Sequence, residues 1–311
     1  MMSTKEKKVK AKRSDHAVAI RRAKHGWIWT TVFCVIAFLW ISPLLLVLLN
    51  SFKRKAYIFK HPFSISRYTL ITDGFEKWQK GLEKTFFGLQ NYVNGVQRTN
   101  FWSAFGYSLF ITIFSVLAIL LFCSMTAWFV VRVHTIYTKL FYVLCLFSMI
   151  VPFQMVMFTL SKFANMLHLG NPVGIIVVYL GFGAGLAVFM FTGFVKSISI
   201  EIEEAAMIDG CTPVQTFFRV VLPIMKPTIV TVGILEAMWV WNDYLLPYLV
   251  LDINKFKTIP IAVQFLKQSH GTIDWGAMMA LLVMAIIPIV IVYLLAQKYI
   301  IEGVMAGAVK G

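Results

Sequence analysis

Six long apolar runs separated by polar stretches organise this chain: Trp27 to Leu49, Trp102 to Val131, Leu140 to Leu160, Val173 to Val195, Thr228 to Leu251 and Gly276 to Ala296. A helix crosses a hydrocarbon layer of roughly 30 Å with about 20 apolar residues, each rising about 1.5 Å. Every run meets that length, and none alternates apolar with polar residues as the strands of a membrane barrel do. The pattern predicts an all-α membrane protein with six transmembrane helices. The first run is too long for the core of a secretory leader and no small-residue cleavage site follows it, so a retained anchor is expected.

The polar stretches are a basic tail over residues 1–26, a loop over about 51–101, a second loop over about 196–227 and a terminal tail over 302–311. An even number of spans puts both termini on one side, and the lysines and arginines between Lys5 and Lys24 argue that this side is the cytoplasm. Lys53, Arg54 and Lys55 vote the other way, from a loop near the length at which such counting loses force. Within that loop, Thr72-Asp73-Gly74 is a plausible turn and Phe75 to Phe87 a short amphipathic helix, or a surface excursion without chemistry.

Composition agrees with the pattern. Hydrophobic residues make up 59% and charged residues 14%, against about 25% charged in soluble domains, and mean hydropathy is +0.76. A soluble globular chain is excluded. The excess of 29 Lys and Arg over 14 Asp and Glu lies mostly outside the apolar runs, where it suits anionic lipid head groups, so nucleic acid is not needed to explain it. Neither the four cysteines nor the six histidines show metal or disulfide spacing. No metal or cofactor bound by this chain is expected.

The loop from Ser199 to Pro223 carries the sharpest signal, and its local code predicts two short helices joined at a glycine. Ser199 can cap the first, with Glu201, Glu203 and Glu204 near its positive end, and Gly210 can end it in a left-handed conformation. Thr212 then caps a second helix with Pro213 in the first position and Gln215 completing a capping box, and Leu222-Pro223 stops it. Small Ala205 and Ala206 leave room for another surface to approach closely.

Glu204-Ala205-Ala206, then Gly210, then Val220-Val221-Leu222-Pro223, lying between the fourth and fifth of six spans, resembles the EAA loop of binding-protein-dependent ABC importer permeases. Trp239-Val-Trp241-Asn242-Asp243-Tyr244, Asp274-Trp-Gly-Ala-Met-Met-Ala280 and the terminal Glu302 to Gly311 are similar to the carbohydrate permeases of the MalG-like kind. The resemblance covers most of the chain from Leu89 onward and departs from it in the basic tail and around Ser64 to Gly88. It implies the type I importer permease fold in a prokaryotic cell membrane. It also implies a second, MalF-like permease, two MalK-like ATP-binding subunits that hold ATP and Mg, and an extracellular solute-binding protein. Glu203, Glu204, Ala205, Ala206, Asp209, Gly210, Leu222 and Pro223 are then the ATPase-coupling residues, and the helix from Ser199 to Ile208 the coupling helix. Ala306, Gly307 and Ala308 in the tail are expected to reach toward the ATPase pair. The chain has no GxxxxGK[ST] loop, nor any Gly-Lys pair, and supplies no nucleotide site.

Acids inside a span usually face a protein interior or a wet cavity. Glu236 and Asp243 lie seven residues apart and share a face of the fifth span with Trp239. With Trp241, Asn242 and Tyr244 they form the candidate pore or substrate group; pairing with a partner permease, or packing around Pro247, is the alternative. Pro152 and Gln154 read either as a kink with a polar pore contact or, more simply, as a proline tolerated through neighbouring packing, and Gly181, Gly183 and Gly185 as close helix packing. A secondary transporter would show internal repeats and ion sites, and a membrane enzyme a catalytic constellation; neither is evident. A sugar, an oligosaccharide above all, is the expected cargo. Glycerol phosphate or a polyamine is the alternative, although a phosphate would favour Arg or Lys in the pore.

Overall fold

The computed structural model describes residues 26–266 and 273–308, with side chains to residue 297. The basic tail and His270 lie outside the described residues. The chain divides between Gly88 and Leu89 into two compact units.

The first unit begins with the helix Gly26–Ser51, which runs through Pro43 without a break. Just beyond its end, Lys53 is fully buried, and its Nζ donates to Asn50 Oδ1 and the His61 carbonyl at 2.9 Å and to the Pro62 carbonyl at 3.2 Å. An ammonium beside the carbonyl end of a helix also complements its dipole. Gly74, at φ 78°, turns the chain into the helix Phe75–Thr85, where the amphipathic stretch predicts one. Gly81 packs so closely on Ser66 that a Cβ there would collide with its hydroxyl oxygen. The loop closes back on itself through Arg54 N–H to the Thr85 carbonyl (2.9 Å) and Phe87 N–H to the Phe52 carbonyl (2.7 Å).

The second unit is built on long helices whose ends fix its path. Phe101–Arg132 leads to a turn at Val133 and Thr135, and Gly174–Val195 ends at the same place, because Arg132 Nη2 donates to the Ile198 carbonyl at 2.9 Å. At the other end, Asp252 N–H donates to the Gly170 carbonyl (3.0 Å), Ile259 N–H to Ser108 Oγ (2.8 Å), and Arg98 pairs with Asp274 at 2.7 Å. Among the described residues, three helices of this unit, Phe101–Arg132, Gly174–Val195 and the one that begins at Trp275, are long and apolar enough to cross a membrane, and the unit makes five crossings when each of two bent helix pairs is counted as one span.

Two crossings are interrupted near prolines, one that the sequence reads as a kink or a packed proline and one that it reads as an interruption of span five. The third consists of Ile136–Ile150 and Phe153–Met166 at 110° to each other. Pro152 is the cause: its ring would meet the carbonyl four residues back, and it drives Val151 to an extended ψ of 116°. The fifth, Lys226–Asn242, breaks at Asp243 and resumes as Leu245–Val250. Pro247 stands four residues after Asp243, so the proline removes the bond that would have carried the helix across. The last helix continues through the segment expected to be a tail, as far as Ala308. The side chains of Ala306, Gly307 and Ala308 lie outside the described residues.

Apolar clusters fill the gaps between crossings. Ile119, Ala187, Phe191 and Val232 join spans two, four and five near the hairpin end. Phe101, Trp241, Ala277 and Leu281 join spans two, five and six at the other. Glycine permits one of these approaches: a Cβ on Gly276 would strike Asn91 of the short helix Gln90–Thr99.

Candidate functional site

The loop between spans four and five folds as a helical hairpin. Its first helix, Ile200–Ile208, is capped by the Ser199 hydroxyl accepting from Glu201 N–H. Gly210 follows at φ 88° with open space around it, so the turn needs glycine for its backbone and not for its size. The second helix opens with the Thr212–Gln215 capping box and Pro213. Leu222-Pro223 does not stop it, contrary to the sequence expectation. A wide π-helical turn over Phe217–Val221 absorbs the proline, the helix continues to Ile224, and the chain bends by 77° at the buried Met225 into span five.

One ion pair clamps this hairpin to the end of span two. Glu203 Oε1 accepts from Arg132 Nη2 at 2.6 Å and from Nε at 3.0 Å, while Oε2 accepts from Trp128 Nε1 at 2.9 Å. The Glu203 side chain is 4% exposed and that of Arg132 18%. The Trp128 ring lies 5.5 Å from that of Phe217, so both hairpin helices rest on one turn of span two. Glu203 therefore turns inward, whereas Glu204, Ala205, Asp209 and Gly210 are exposed and Ala206 is half-buried. Around them Ile202, Met207 and Ile208 expose apolar surface, Ile208 to 86%. Leu222 is half-buried and Pro223 exposed. Arg132 and Trp128 are the members that sequence reasoning missed; four residues apart, they share a helix face at the basic end of a span, which is the one signal that marks them.

The candidate group in span five does not gather at one place. Glu236 is buried against Gly183, where a Cβ would come 3.0 Å from its Oε2, and that oxygen has no hydrogen-bond partner among the described residues. Asp243 caps the helix after the break: its Oδ1 accepts from Leu245 N–H at 3.0 Å, and Oδ2 accepts from the Tyr179 hydroxyl at 3.1 Å. Trp239 packs edge-on against Tyr179 at 5.4 Å and keeps 38% of its surface open. Trp241 is buried on a different face and donates to the Ala285 carbonyl of span six at 3.2 Å. Asn242 is exposed, and Tyr244 stacks on Tyr248 at 5.2 Å. Asp243, Trp239 and Tyr179 thus form one polar and aromatic cluster, with Glu236 and Trp241 outside it. Among the described residues, no group of three His, Cys, Asp or Glu side chains is placed to hold a metal ion.

Residues 119–305 match the profile of the family described as binding-protein-dependent transport system inner membrane component. The chain belongs to this family. The matched range takes in the hairpin and both intramembrane acids. This permease is 36% identical over 284 residues to the probable starch degradation products transport system permease protein AmyC of Thermoanaerobacterium thermosulfurigenes, covering 91% of this chain and 97% of that one. It is 31% identical to the multiple sugar-binding transport system permease protein MsmG of Streptococcus mutans, covering 93% of this chain and 99% of the relative. A crystal structure of a bacterial ABC transporter involved in import of the acidic polysaccharide alginate contains a chain that superposes with a TM-score of 0.67. That chain is 22% identical, and the match covers 92% of this chain and 98% of it, which establishes a shared fold. The permease is a multi-pass subunit of the cell membrane whose business is transport.

Proposed function

We propose that this permease is one of two membrane subunits of an ATP-driven, binding-protein-dependent importer of oligosaccharides, with both termini in the cytoplasm. One observation carries the coupling part of the reading. The hairpin is fixed to span two by Arg132, Glu203 and Trp128 on its inner side and offers Glu204, Ala205, Asp209 and Ile208 on its outer side. A rigidly held helix with a small-residue, apolar and acidic outer face is what two separate ATP-binding subunits need as a lever. Closure of that pair on ATP and Mg then biases the two permeases between inward and outward openings, because ATP binds the closed state more tightly. Ala206, Gly210, Leu222 and Pro223 shape the lever, and Ala306, Gly307 and Ala308 extend toward the same pair.

The cargo reading rests on what the relatives are named for: starch degradation products, multiple sugars and, in a permease of Halalkalibacterium halodurans 31% identical to this chain, arabinooligosaccharides. The Asp243, Trp239 and Tyr179 cluster supplies hydrogen-bonding groups beside aromatic faces, as a sugar path requires.

Mild-detergent purification of the tagged chain from its own membrane tests the proposal. A second six-span permease and a phosphate-loop ATPase should copurify, hydrolysis should fall when Glu204 is changed to Lys, and vesicles loaded with ATP should take up malto- or arabino-oligosaccharides when the binding protein is added. A chain that purifies alone and transports with an ion gradient would overturn it. Uptake of glycerol phosphate or a polyamine in place of sugars would overturn the cargo alone.

A further inference from the structure

Two clefts flank the start of the third crossing, at the end of the molecule where the hairpin is clamped. The first, of about 540 Å³, is walled by His134, Lys139, Lys196 and the turn at Thr135 that caps the helix Ile136–Ile150. No carboxylate lines it. Thr192 forms part of its wall, and this side chain is 2% exposed with a hydroxyl that has no hydrogen-bond partner among the described residues. Two lysines, an imidazole and a buried, unpartnered hydroxyl line one cleft with no carboxylate among them, which leaves it positively charged and rich in donors, while the helix that starts there is already closed by its own Thr135–Thr138 capping box. The missing group is an anion.

The second cleft, of about 600 Å³, shares Val130 and Thr138 with the first and is almost wholly apolar. Phe122, Met125, Phe129, Phe141 and Phe218 line it. From Val130 down to Phe122 it follows span two for eight residues, about 12 Å of helix rise, into the depth of the membrane. A small soluble phosphate would leave this cleft empty. An anion that carries a hydrocarbon chain fills both.

We propose that the two clefts together bind one anionic phospholipid, with its phosphate among Lys139, Lys196, His134 and the Thr192 hydroxyl and an acyl chain along the phenylalanine-lined groove. The chain would then touch Val214 and Phe217 of the hairpin's second helix, so a lipid sits directly against the element proposed to transmit ATP-driven motion. Its assignment to the cytoplasmic leaflet rests on the orientation proposed above; the site itself does not. Lipids of that leaflet are the anionic ones, and lysines near it favour them.

The test uses the transporter purified with whatever subunits stay bound, delipidated, and titrated with phosphatidylglycerol, phosphatidylcholine and glycerol 3-phosphate while native mass spectrometry counts bound lipid. Phosphatidylglycerol should be retained and phosphatidylcholine not. The double variant Lys139→Gln, Lys196→Gln should weaken phosphatidylglycerol about 30-fold, at the strength usual for two lysines near an anionic surface. Thr192→Val should weaken it severalfold while leaving the lipid-free melting temperature unchanged or raised, because the hydroxyl it removes has no partner among the described residues. That split separates a ligand contact from a packing role. Lys226→Gln, a lysine at the same end but outside both clefts, should bind as the parent does. Equal retention of the two lipids, equal loss in Lys226→Gln, or displacement of lipid by equimolar glycerol 3-phosphate would overturn the proposal. So would failure to bind any lipid because a copurified subunit cross-links to Lys139 and Lys196. Loss of transport without a change in bound lipid would bear on the coupling reading instead.

Discussion

Two polar loops of this permease are each pinned to the end of a span by one buried charge, and they are pinned in different ways. After span one, Lys53 gives its protons to neutral oxygens of Asn50, His61 and Pro62. In the hairpin, Glu203 meets a guanidinium and an indole N–H. In the first arrangement carbonyl and amide dipoles offset part of the ion's desolvation, and burial pulls the Lys53 ammonium from 10.5 down to about 8. The second matches charge with charge in a forked geometry, which is stiffer and more costly to break. The lesson is that a loop held by dipoles responds to pH, whereas a loop held by a forked ion pair transmits force.

The sharpest way to break the comparison is Arg132→Ala, which leaves Glu203 buried and unpaired and should destabilise the permease by about 3–5 kcal/mol. Thermal unfolding in detergent measures it, and Glu203→Gln, which keeps the Trp128 contact, should cost less. Next in size is a pair of glycine changes. Gly81→Ala drives a methyl into Ser66 and the Tyr68 ring and should cost about 1–3 kcal/mol, only partly recovered when Ser66 is also shortened to Gly. Gly210→Ala meets open space, so its cost of about 1–2 kcal/mol comes from φ alone and no second substitution nearby should recover it. On the proposed coupling role it should also abolish ATP-driven uptake; unchanged uptake would remove Gly210 from the lever. Smaller still, Thr212→Ala in the capping box and Thr85→Val, whose hydroxyl donates to the Ile65 carbonyl at 2.6 Å, should each cost about 1 kcal/mol. If the Thr212 change instead matched Arg132→Ala, the cap and not the ion pair would hold the hairpin.

The subtlest test is pH. Between about 8 and 10.5 the folded loop holds Lys53 neutral while the unfolded chain still binds the proton, so stability rises with pH across that window. Hydrogen exchange over residues 52–88, normalised to the rates of the unfolded peptide, should slow as pH climbs from 7.5 to 9.5. The hairpin serves as the internal reference. Lys53→Met should flatten the response, and a response that persists would place its origin elsewhere.

Much of the fold was legible because its code is local. Apolar runs of span length, the Ser199 and Thr212 caps and the glycines at 74 and 210 all act within four residues of themselves, and the structure forms the elements they predict. The features that the sequence leaves open or misjudges depend on distant partners or on what a proline does to residues before it. Pro152 and Pro247 stand inside runs whose hydropathy is continuous, so periodicity hides the breaks at Val151 and Asp243. Pro43 stands in a similar run and breaks nothing, which shows that surroundings decide. Glu203 reads from sequence as one more acid of the EAA stretch; its inward turn is set by an arginine 71 positions earlier. Trp241 and Trp239 are likewise two residues apart in a run of aromatics, and only packing against span six sends the first away from the Asp243 cluster.

The bend in the third crossing makes the host bilayer's thickness a variable of the molecule. Its first limb, Ile136–Ile150, has 15 residues and a rise of about 22 Å, roughly 8 Å short of a typical hydrocarbon layer. The second limb leaves at 110°, so it adds little depth along the axis of the first. Lipids around that limb must thin, or the limb must stand more upright than its neighbours, and either adjustment costs a fraction of a kcal/mol for each ångström of mismatch. Short-chain lipids relieve that strain and long-chain lipids load it onto the joint at Val151 and Pro152.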